Sequence, residues 1–295
     1  MKAITTDFEY LPAATVGEAL ELLSLHKDDD YKIIGGGQSL NTMMKHRLLT
    51  PEYIIDVKGV SELDYIKYDD KEGLKIGALT THRSLEKSEI VKEKYSVLSE
   101  MEENVASVET RNWGTVVGDL VNADPAADPA PPLIALDASI TIASKDETRT
   151  VAAEEFAVDF FDTVVQPGEL VTEIQIPALP ANTGVYFTKY SQLHGDYALA
   201  SVAVLLTLDA DKETCVNARI GFGAVGATPI RAANAEAVLK GKKLTDELFA
   251  QAAEAAAGEI NPITGIEASA DYKRELAGTL FKRVAKEALA RAQKA

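Results

Sequence analysis

Cysteine is almost absent from this sequence of 295 residues, which contains only Cys215. A single cysteine cannot form an internal disulfide, and a chain without a disulfide framework is typical of a reducing compartment. Cys215 lies within an apparent strand, which favours a buried thiol over a nucleophile.

Long apolar runs and an excess of basic charge are also missing. No uninterrupted apolar run approaches the length of a membrane span, and residues 1–7 lack the apolar core of a signal peptide. The formal net charge is -16, which argues against a non-specific nucleic-acid binder, because such a protein needs a basic surface. These absences predict a cytoplasmic globular protein, and the acidic charge is compatible with a subunit that docks on partners through polar surface.

Familiar catalytic and metal-binding patterns are lacking too. No histidine has a cysteine or histidine partner at the spacing of metal ligands, so we predict no metal site and interpret the histidines as surface or core residues. A Gly-x-Ser-x-Gly motif is absent, which gives a serine hydrolase little support. The acidic pairs Glu102-Glu103 and Glu154-Glu155 are expected on solvated helix surfaces, and no catalytic residue is predicted. The four histidines are His26, His46, His82 and His194.

The most unusual segment is Gly35-Gly36-Gly37, which follows the apolar residues 31–34 and precedes Gln38 and Ser39. The apolar lead predicts a buried strand, and the residues after the glycines predict a helix or turn. Three glycines permit positive φ and a close approach of a ligand, and inward-facing amides would form a cradle for phosphate. An ordinary tight turn explains the pattern equally well, and it is neither G-x-G-x-x-G nor a P-loop.

Residues 1 to about 58 predict a small α/β unit with the glycines at a strand end. Thr15 and Glu18 form a capping-box pattern before a helical stripe of apolar residues, and 53–57 predicts a strand. Two strands, 63–68 and 74–78, follow across a charged turn, and 90–105 has the spacing of one amphipathic helix. Residues 139–143 and 170–176 predict further strands.

A second unusual segment spans residues 111–128 and has small and polar residues in no periodic order. An ordinary loop of this length is uncommon unless it has a function. Asp128 ends it before three prolines, where a carboxylate could accept hydrogen bonds from sugar or polyol hydroxyls; a turn or helix-capping aspartate is the alternative. Lys189 lies in the middle of a predicted strand, where an exposed face is slightly favoured over an anion-binding position.

The chain changes character at the linker 177–184, which contains two prolines. Three strands, at 185–191, 198–208 and 216–225, are followed by three helices near 231–239, 245–257 and 272–292. A strand meander followed by helices predicts an α+β domain in which helices cover one face of an antiparallel sheet.

Two of these segments together resemble a known family. Gly35 to Leu40 is similar to the Ala-Gly-Gly-His-Ser-Leu motif of the FAD-binding medium subunits of molybdenum hydroxylases, the xanthine dehydrogenase and carbon monoxide dehydrogenase family. Residues 111–119 are similar to that family's Arg-Asn-x-Gly-Thr-Ile-Gly-Gly-Asn/Asp, and 120–128 to its Leu-x-x-Ala-Asp-Pro-Ala-x-Asp. Shorter matches follow in order along nearly the whole chain, at 43–48, 76–82, 195–198, 226–229 and 272–277.

The resemblance implies an α+β fold: an FAD-binding domain, residues 1–178 with subdomains 1–58 and 59–178, followed by a C-terminal flavoprotein domain, residues 181–295. It implies that both glycine loops hold the FAD pyrophosphate, that Asp128 contacts the ribityl chain, that Leu170 and Lys189 flank the flavin and that Tyr197 lies near the isoalloxazine. The implied FAD-binding residues are Ile33, Ile34, Gly35, Gly36, Gly37, Gln38, Ser39, Leu40, Thr115, Val116, Val117, Gly118, Asp119, Asp128, Leu170, Lys189 and Tyr197.

The resemblance also implies partners: a large subunit with molybdopterin and a small subunit with two [2Fe-2S] clusters, in a dimer of heterotrimers. Electrons would pass through the clusters to the FAD of this chain and then to NAD, ferredoxin or a quinone. One cysteine is too few to ligate a cluster, which fits this division of labour. Two departures stand out, Gln38 for histidine and Val117 for glycine, and a β-branched Val117 would be strained if that position required positive φ. A scaffold that has lost its flavin and a stand-alone flavin oxidoreductase remain alternatives.

Overall fold

The computed structural model describes residues 7–295. The interpretation of the first residues as lacking a signal peptide lies outside this part of the chain. Two large hydrophobic cores organise the fold: one underlies the first two sheets, and the other lies beneath the C-terminal helices. The predicted α+β class is confirmed.

The first unit is a three-stranded parallel sheet in the order β1-β3-β2. Its first helix begins at the predicted cap, because the Thr15 hydroxyl accepts a hydrogen bond from the backbone N–H of Glu18. The second helix starts directly after the glycines, as predicted. The elements are β1 (Glu9–Pro12), α1 (Val16–Leu25), β2 (Tyr31–Ile34), α2 (Gln38–Lys45) and β3 (Tyr53–Asp56).

The second unit is a five-stranded antiparallel sheet in the order β4-β5-β10-β6-β7, with short helices in its connections. Its strands are β4 (Ile66–Asp69), β5 (Gly73–Gly77), β6 (Ser139–Ala143), β7 (Thr148–Ala152) and β10 (Leu170–Ile176), and a small hairpin pairs β8 (Ala157–Asp159) with β9 (Asp162–Thr163). Its helices are α3 (His82–Lys87), α4 (Glu89–Lys94), α5 (Ser96–Glu102), α6 (Val108–Trp113), α7 (Val116–Asn122), α8 (Ala130–Ala135) and α9 (Ala153–Phe156).

Two predictions for this unit were wrong. The single helix predicted over 90–105 is two helices, α4 and α5, because Tyr95 leaves the helical conformation at φ -141° and ψ 54°. The Tyr95 side chain is buried, and its hydroxyl donates a hydrogen bond to the carbonyl of Pro177. The loop predicted over 111–128 contains the end of α6 and all of α7, so much of it is helical.

The C-terminal unit is an antiparallel sheet with long helices on one face, as predicted, but it has four strands instead of the three predicted, because residues 230–231 pair with the third strand. Every residue of its second strand is buried, since alternate side chains enter the two hydrophobic cores. Its elements are β11 (Thr183–Tyr190), β12 (Ala200–Leu208), β13 (Cys215–Gly223), β14 (Ile230–Arg231), α10 (Ala233–Leu239), α11 (Asp246–Ala257) and α12 (Ala270–Lys294).

Cys215 lies at the start of β13 and is buried, as predicted, and burial raises the pKa of its thiol to about 11. A thiol with this pKa is protonated at neutral pH and is a poor nucleophile. Among residues 7–295, no helix combines the length and the apolar character needed to cross a membrane.

Candidate functional site

The first loop, residues 35–40, joins β2 to α2 and presents free backbone donors. Gly37 lies in the left-handed region at φ 74°, which turns the chain into the helix. The first hydrogen bond of α2 runs from the Asn41 amide to the Gly37 carbonyl. The amides of Gln38, Ser39 and Leu40 therefore have no intrahelical acceptor. They lie at the N-terminus of α2, which is the positive end of the helix dipole, and their N–H groups point away from the helix.

The second loop, residues 115–119, forms the first turn of α7 and is capped by its own side chain. The hydroxyl of Thr115 accepts a hydrogen bond from the Gly118 amide at 3.0 Å. Backbone hydrogen bonds also join this segment to the chain before α3, since the Val116 amide donates to Thr80 and the His82 amide to Gly114. The position of the second loop is thus held from two sides.

The two loops are in direct backbone contact. A Cβ atom placed on Gly36 would overlap the carbonyl oxygen of Trp113 and lie only 2.7 Å from the Cα of Gly114. Because only hydrogen fits between these backbones, Gly36 is required where the first loop meets the chain leading into the second. Segments almost eighty residues apart in the sequence therefore form one backbone surface, which we call the loop crossing (residues 35–40 and 113–119).

The loop crossing forms one wall of a cavity of about 940 Å³, which is within the usual range for small-molecule and cofactor sites. Most of the residues predicted to bind the cofactor line this cavity, whereas Val116, Val117 and Leu170 do not. Leu170 is buried in β10, opposite Ala143 of β6. The predicted residues that line the cavity are Ile33, Ile34, Gly35, Gly36, Gly37, Gln38, Ser39, Leu40, Thr115, Gly118, Asp119, Asp128, Lys189 and Tyr197.

Val117 is a helical residue in the first turn of α7, and its side chain is buried beneath the second loop. The strain considered from the sequence does not arise, because a valine is readily accommodated in right-handed helical backbone. A bulky side chain at this position therefore fills the core without closing the cavity.

Asp128 and Lys189 form a buried ion pair on the cavity wall. Lys189 Nζ lies 2.5 Å from Asp128 Oδ2, and both side chains are almost fully buried. The prediction that Lys189 lies on an exposed face was therefore wrong. Burial raises the pKa of Asp128 to about 7, although Lys189 opposes the shift. The other carboxylate oxygen, Oδ1, is buried and has no hydrogen-bond partner among residues 7–295, so it can accept one from a ligand.

His82 and Glu102 form a second buried pair. His82 Nδ1 lies 2.7 Å from Glu102 Oε2, and the Glu102 side chain has no solvent exposure. The prediction of a solvated Glu102 was wrong because α5 is buried on most of its surface. Burial lowers the pKa of His82, but the charge and hydrogen bond of Glu102 outweigh it and raise that pKa to about 9. Burial also raises the pKa of Glu102, and the charge and hydrogen bond of His82 oppose that shift.

Arg111 anchors the chain that leads into the second loop. Its Nε donates a hydrogen bond to Glu86 at 2.9 Å, and its Nη1 donates to the carbonyls of Val105 and Ala106. Burial raises the pKa of Glu86, but Lys87, Arg83 and Arg111 outweigh it and lower that pKa to about 2. This buried cation therefore fixes the backbone at 105–106, which also lines the cavity.

Tyr197 lies at the mouth of the cavity and is 57% exposed. The turn before it is closely packed, since Gly195 has a φ of 85° and a Cβ there would lie 2.6 Å from the carbonyl oxygen of Ala106. The backbone that Arg111 holds therefore supports the turn that presents Tyr197.

One part of the cavity was missed from the sequence. The segment 161–169 lines it through Phe161, Thr163 and residues of the Gln-Pro-Gly turn. Gly168 has a φ of 87°, and its amide donates a hydrogen bond to the hydroxyl of Tyr31, so this turn is tied to the first unit. The Pro-Gly pair is a turn signal that could have identified this segment.

Metal ligands are not clustered in the part of the chain that the structure describes: residues 7–295 contain no group of three or more histidine, cysteine or acidic side chains placed to bind a metal ion. The polar groups of the cavity are instead backbone amides, an imidazole, and several carboxylates and ammonium groups, of which the Asp128–Lys189 pair is almost fully buried. This set suits an organic ligand that carries phosphates and hydroxyls.

Two family models match the chain. The FAD binding domain in molybdopterin dehydrogenase matches residues 6–179, and the CO dehydrogenase flavoprotein C-terminal domain matches residues 185–288. A subunit alpha of the 6-hydroxypseudooxynicotine dehydrogenase complex of Paenarthrobacter nicotinovorans is 37% identical, over 97% of this chain and 96% of that protein. The glyceraldehyde dehydrogenase medium chain of Sulfolobus acidocaldarius is 36% identical, over 95% of this chain and 98% of that protein.

Solved structures are similar over the same extent. A carbon monoxide dehydrogenase structure from Hydrogenophaga pseudoflava superposes with a TM-score of 0.92 at 36% identity, covering 96% of this chain and 98% of that one. A quinoline 2-oxidoreductase structure from Pseudomonas putida 86 gives a TM-score of 0.90 at 32% identity, covering 97% of this chain and 98% of that one.

Proposed function

This chain belongs to the FAD-binding medium subunits of the molybdenum hydroxylase family, and we propose that the cavity at the loop crossing is where it holds FAD. It is the FAD-carrying electron-transfer subunit of an oxidoreductase. The observation that carries the site assignment is the contact of Gly36 with the backbone of Trp113 and Gly114, which brings the free amides of the first loop against the second loop at one wall.

The residues present fit this cofactor. The free amides of Gln38, Ser39 and Leu40 suit a diphosphate, because they combine unpaired donors with the positive end of a helix. The unpartnered Oδ1 of Asp128 suits a ribityl hydroxyl. Lys189 and Tyr197 then lie beside the flavin ring system, and Leu170 supports the wall from within the core without lining the cavity.

Bound FAD supplies the electron-transfer chemistry, and the protein supplies binding and surroundings. The amides of the loop crossing hold the phosphates, the Asp128–Lys189 pair orients the sugar chain, and the exposed Tyr197 covers the mouth of the cavity. No acid or base of this chain is required as a catalytic residue, because the reaction here is electron relay.

The partners that we propose are a molybdopterin-binding large subunit and a small subunit with two [2Fe-2S] clusters, assembled as a dimer of heterotrimers. Relatives named as medium chains support the presence of other subunits. A single buried cysteine supports placing the clusters elsewhere and supports a cytoplasmic location. We further propose that domain boundaries lie near residues 178 and 181, which the second hydrophobic core supports because all of its buried residues lie between 200 and 292.

The scaffold alternative has lost its main support, since Val117 is an ordinary helical residue. A stand-alone flavin oxidoreductase is less favoured than an electron-transfer subunit because the similar proteins are named as chains of larger enzymes.

The assignment is tested by the visible absorbance of the purified chain. We expect a yellow protein with one acid-releasable FAD per chain, and we expect Gly36→Ala to lose it, because the added methyl group separates the two loops. Gly265→Ala is the matched control, since its Cβ would meet nothing within 4 Å. A colourless wild-type protein would contradict the proposed function, and full FAD retention by Gly36→Ala would contradict the site assignment. Iron and molybdenum that co-purify with the chain would support the proposed partners.

A further inference from the structure

The FAD site as described leaves one buried charge without a role. His82 is the first residue of α3. It is far along the chain from the amides that suit the phosphates, but it lines the same cavity. Its Nδ1 is bonded to Glu102, a carboxylate with no solvent exposure. Burying an ionised pair costs free energy, so its presence beside a ligand cavity calls for a function.

The imidazole of His82 lies at the loop crossing itself. A Cβ atom placed on Gly114 would lie 3.2 Å from His82 Cδ2 and 3.5 Å from the Cγ of Gln38. Cδ2 is bonded to Nε2, so the second ring nitrogen is close to the point where the two loops meet. The structure gives Nε2 no hydrogen-bond partner among residues 7–295, which leaves an N–H donor available to a ligand.

The charges around this imidazole keep it protonated. Glu102 of α5 binds it directly, and Asp119 of α7 and Asp128 before α8 add negative potential, whereas burial opposes the charge. Three other cations line the cavity. Lys189 is buried and already in contact with a carboxylate through its ammonium group, and Lys27 and Lys32 are exposed residues outside the loop crossing. His82 is therefore a cation with an N–H still free at the loop crossing, where the remaining donors are neutral amides.

We propose that His82 donates a charge-assisted hydrogen bond from Nε2 to a phosphate oxygen of FAD, and that Glu102 is the positioning residue that holds the ring and its proton. This inference rests on the proposed function. It adds a side-chain cation to a phosphate site otherwise built from backbone amides. A hydrogen bond to a charged group is worth roughly 1.5–3 kcal/mol, so its loss corresponds to roughly 10- to 100-fold in affinity.

The first test follows the imidazoles of the full-length chain by NMR as a function of pH, with FAD removed and with FAD bound. Only four histidines contribute signals, and His82→Gln identifies the one of interest. We expect the His82 pKa to be well above 6.5 in the FAD-free chain and to rise further when FAD binds, because binding and protonation are linked. A pKa near 6.5, or one that FAD leaves unchanged, would overturn the proposal.

The second test measures the FAD dissociation constant by titration calorimetry at pH 7 and at higher pH. We expect His82→Gln to weaken binding roughly 10- to 100-fold at pH 7, and His46→Gln, an exposed control at the end of α2, to bind like the wild type. Wild-type affinity should fall as the pH rises past about 9, whereas that of His82→Gln should stay level. Equal affinities of the wild type and His82→Gln, or a parallel pH dependence, would overturn the proposal.

Glu102→Gln separates positioning from direct contact. Without the carboxylate, burial favours the neutral imidazole, so we expect FAD affinity at pH 7 to fall by a similar factor. In the His82→Gln background the same change should have little further effect, because both substitutions remove one interaction. Additive losses would show that Glu102 acts independently of His82 and would overturn its assigned role. If the wild-type chain binds no FAD, the proposed function itself is wrong. If the wild-type chain binds FAD and the variants bind it with the same affinity, only the role proposed for His82 is wrong.

Discussion

The first and second loops meet in one wall, but they are built in opposite ways. The first loop has no side-chain cap, its glycines admit close neighbours, and the amides that follow them are free. The second loop is capped by Thr115, is preceded by the buried Arg111–Glu86 pair and lies near the buried His82–Glu102 pair. The first loop thus supplies donors, and the second supplies a fixed position and charge.

This difference separates two requirements of phosphate binding. Free amides bind an anion more tightly when their directions are set before binding, because ordering them afterwards costs conformational entropy. Few contacts within the first loop fix the direction of its amides. Its contact with the rigid backbone of Trp113 and Gly114 fixes that direction. We therefore expect substitutions behind the second loop to affect stability, and substitutions at the first loop to affect FAD retention.

The largest effect should come from Arg111→Met, which removes the buried partner of Glu86 and the donor that holds the carbonyls of Val105 and Ala106. Breaking one partner of a buried pair costs about 3–5 kcal/mol in unfolding free energy. Arg83→Met is the matched control: it contacts the same carboxylate at 2.7 Å but is partly exposed, so we expect a loss below about 1 kcal/mol. Urea unfolding followed by circular dichroism measures both. Equal losses would contradict the rigid-anchor interpretation of the second loop.

An intermediate effect should appear as a pH dependence, which the neutral amides of the first loop cannot produce. The His82 pKa is about 9 in the folded chain and about 6.5 when unfolded. Its stabilising contribution is therefore complete below about pH 6.5 and is lost as the pH rises through 9. Between these limits we expect wild-type unfolding free energy to fall by roughly 3 kcal/mol more than that of His82→Gln/Glu102→Gln, which removes both titrating groups. Identical slopes in urea unfolding would show that the pair carries no net proton linkage.

The smallest effect should come from Thr115→Ala, which removes the cap of the second loop. Loss of an N-cap costs about 1 kcal/mol, and the freed Gly118 amide should loosen the loop crossing and reduce FAD retention. Thr245→Ala removes an equivalent cap from α11, so we expect the same loss of stability with FAD fully retained. The comparison uses thermal unfolding and the absorbance of bound flavin. A drop in FAD retention in both variants would mean that retention follows global stability and not the second loop.

Local signals in the sequence predicted most elements correctly. The Thr15 cap, the strand before the glycines and the three C-terminal helices depend on contacts within a few residues of the chain. The 90–105 prediction failed because apolar spacing continues through Tyr95, whose contact with Pro177 determines where the helix breaks. Periodicity records which side of a segment is buried but not whether its backbone is continuous.

Residue patterns predicted the candidate site where it consists of backbone, whereas the side chains of Asp128, Lys189 and Tyr197 were expected there through the family resemblance. The glycines at 35–37 and the small and polar residues at 111–128 are visible as residue types, and both loops were identified as candidates. The two buried ion pairs were not predicted, because their partners are distant in the sequence: Asp128 and Lys189 are 61 residues apart, and His82 and Glu102 are 20 residues apart. Lysine and glutamate are mostly exposed, so sequence patterns assign them to the surface unless their partner is known.

The chain has a single tryptophan, Trp113, and it is the residue whose carbonyl oxygen adjoins Gly36. Its indole is 65% exposed, so the intrinsic fluorescence of the protein originates at the edge of the loop crossing. Flavins absorb where indole emits, and occupancy of the neighbouring cavity should therefore quench this emission by energy transfer. The molecule thus contains an optical reporter of its own cofactor loading, readable without a label in the isolated chain.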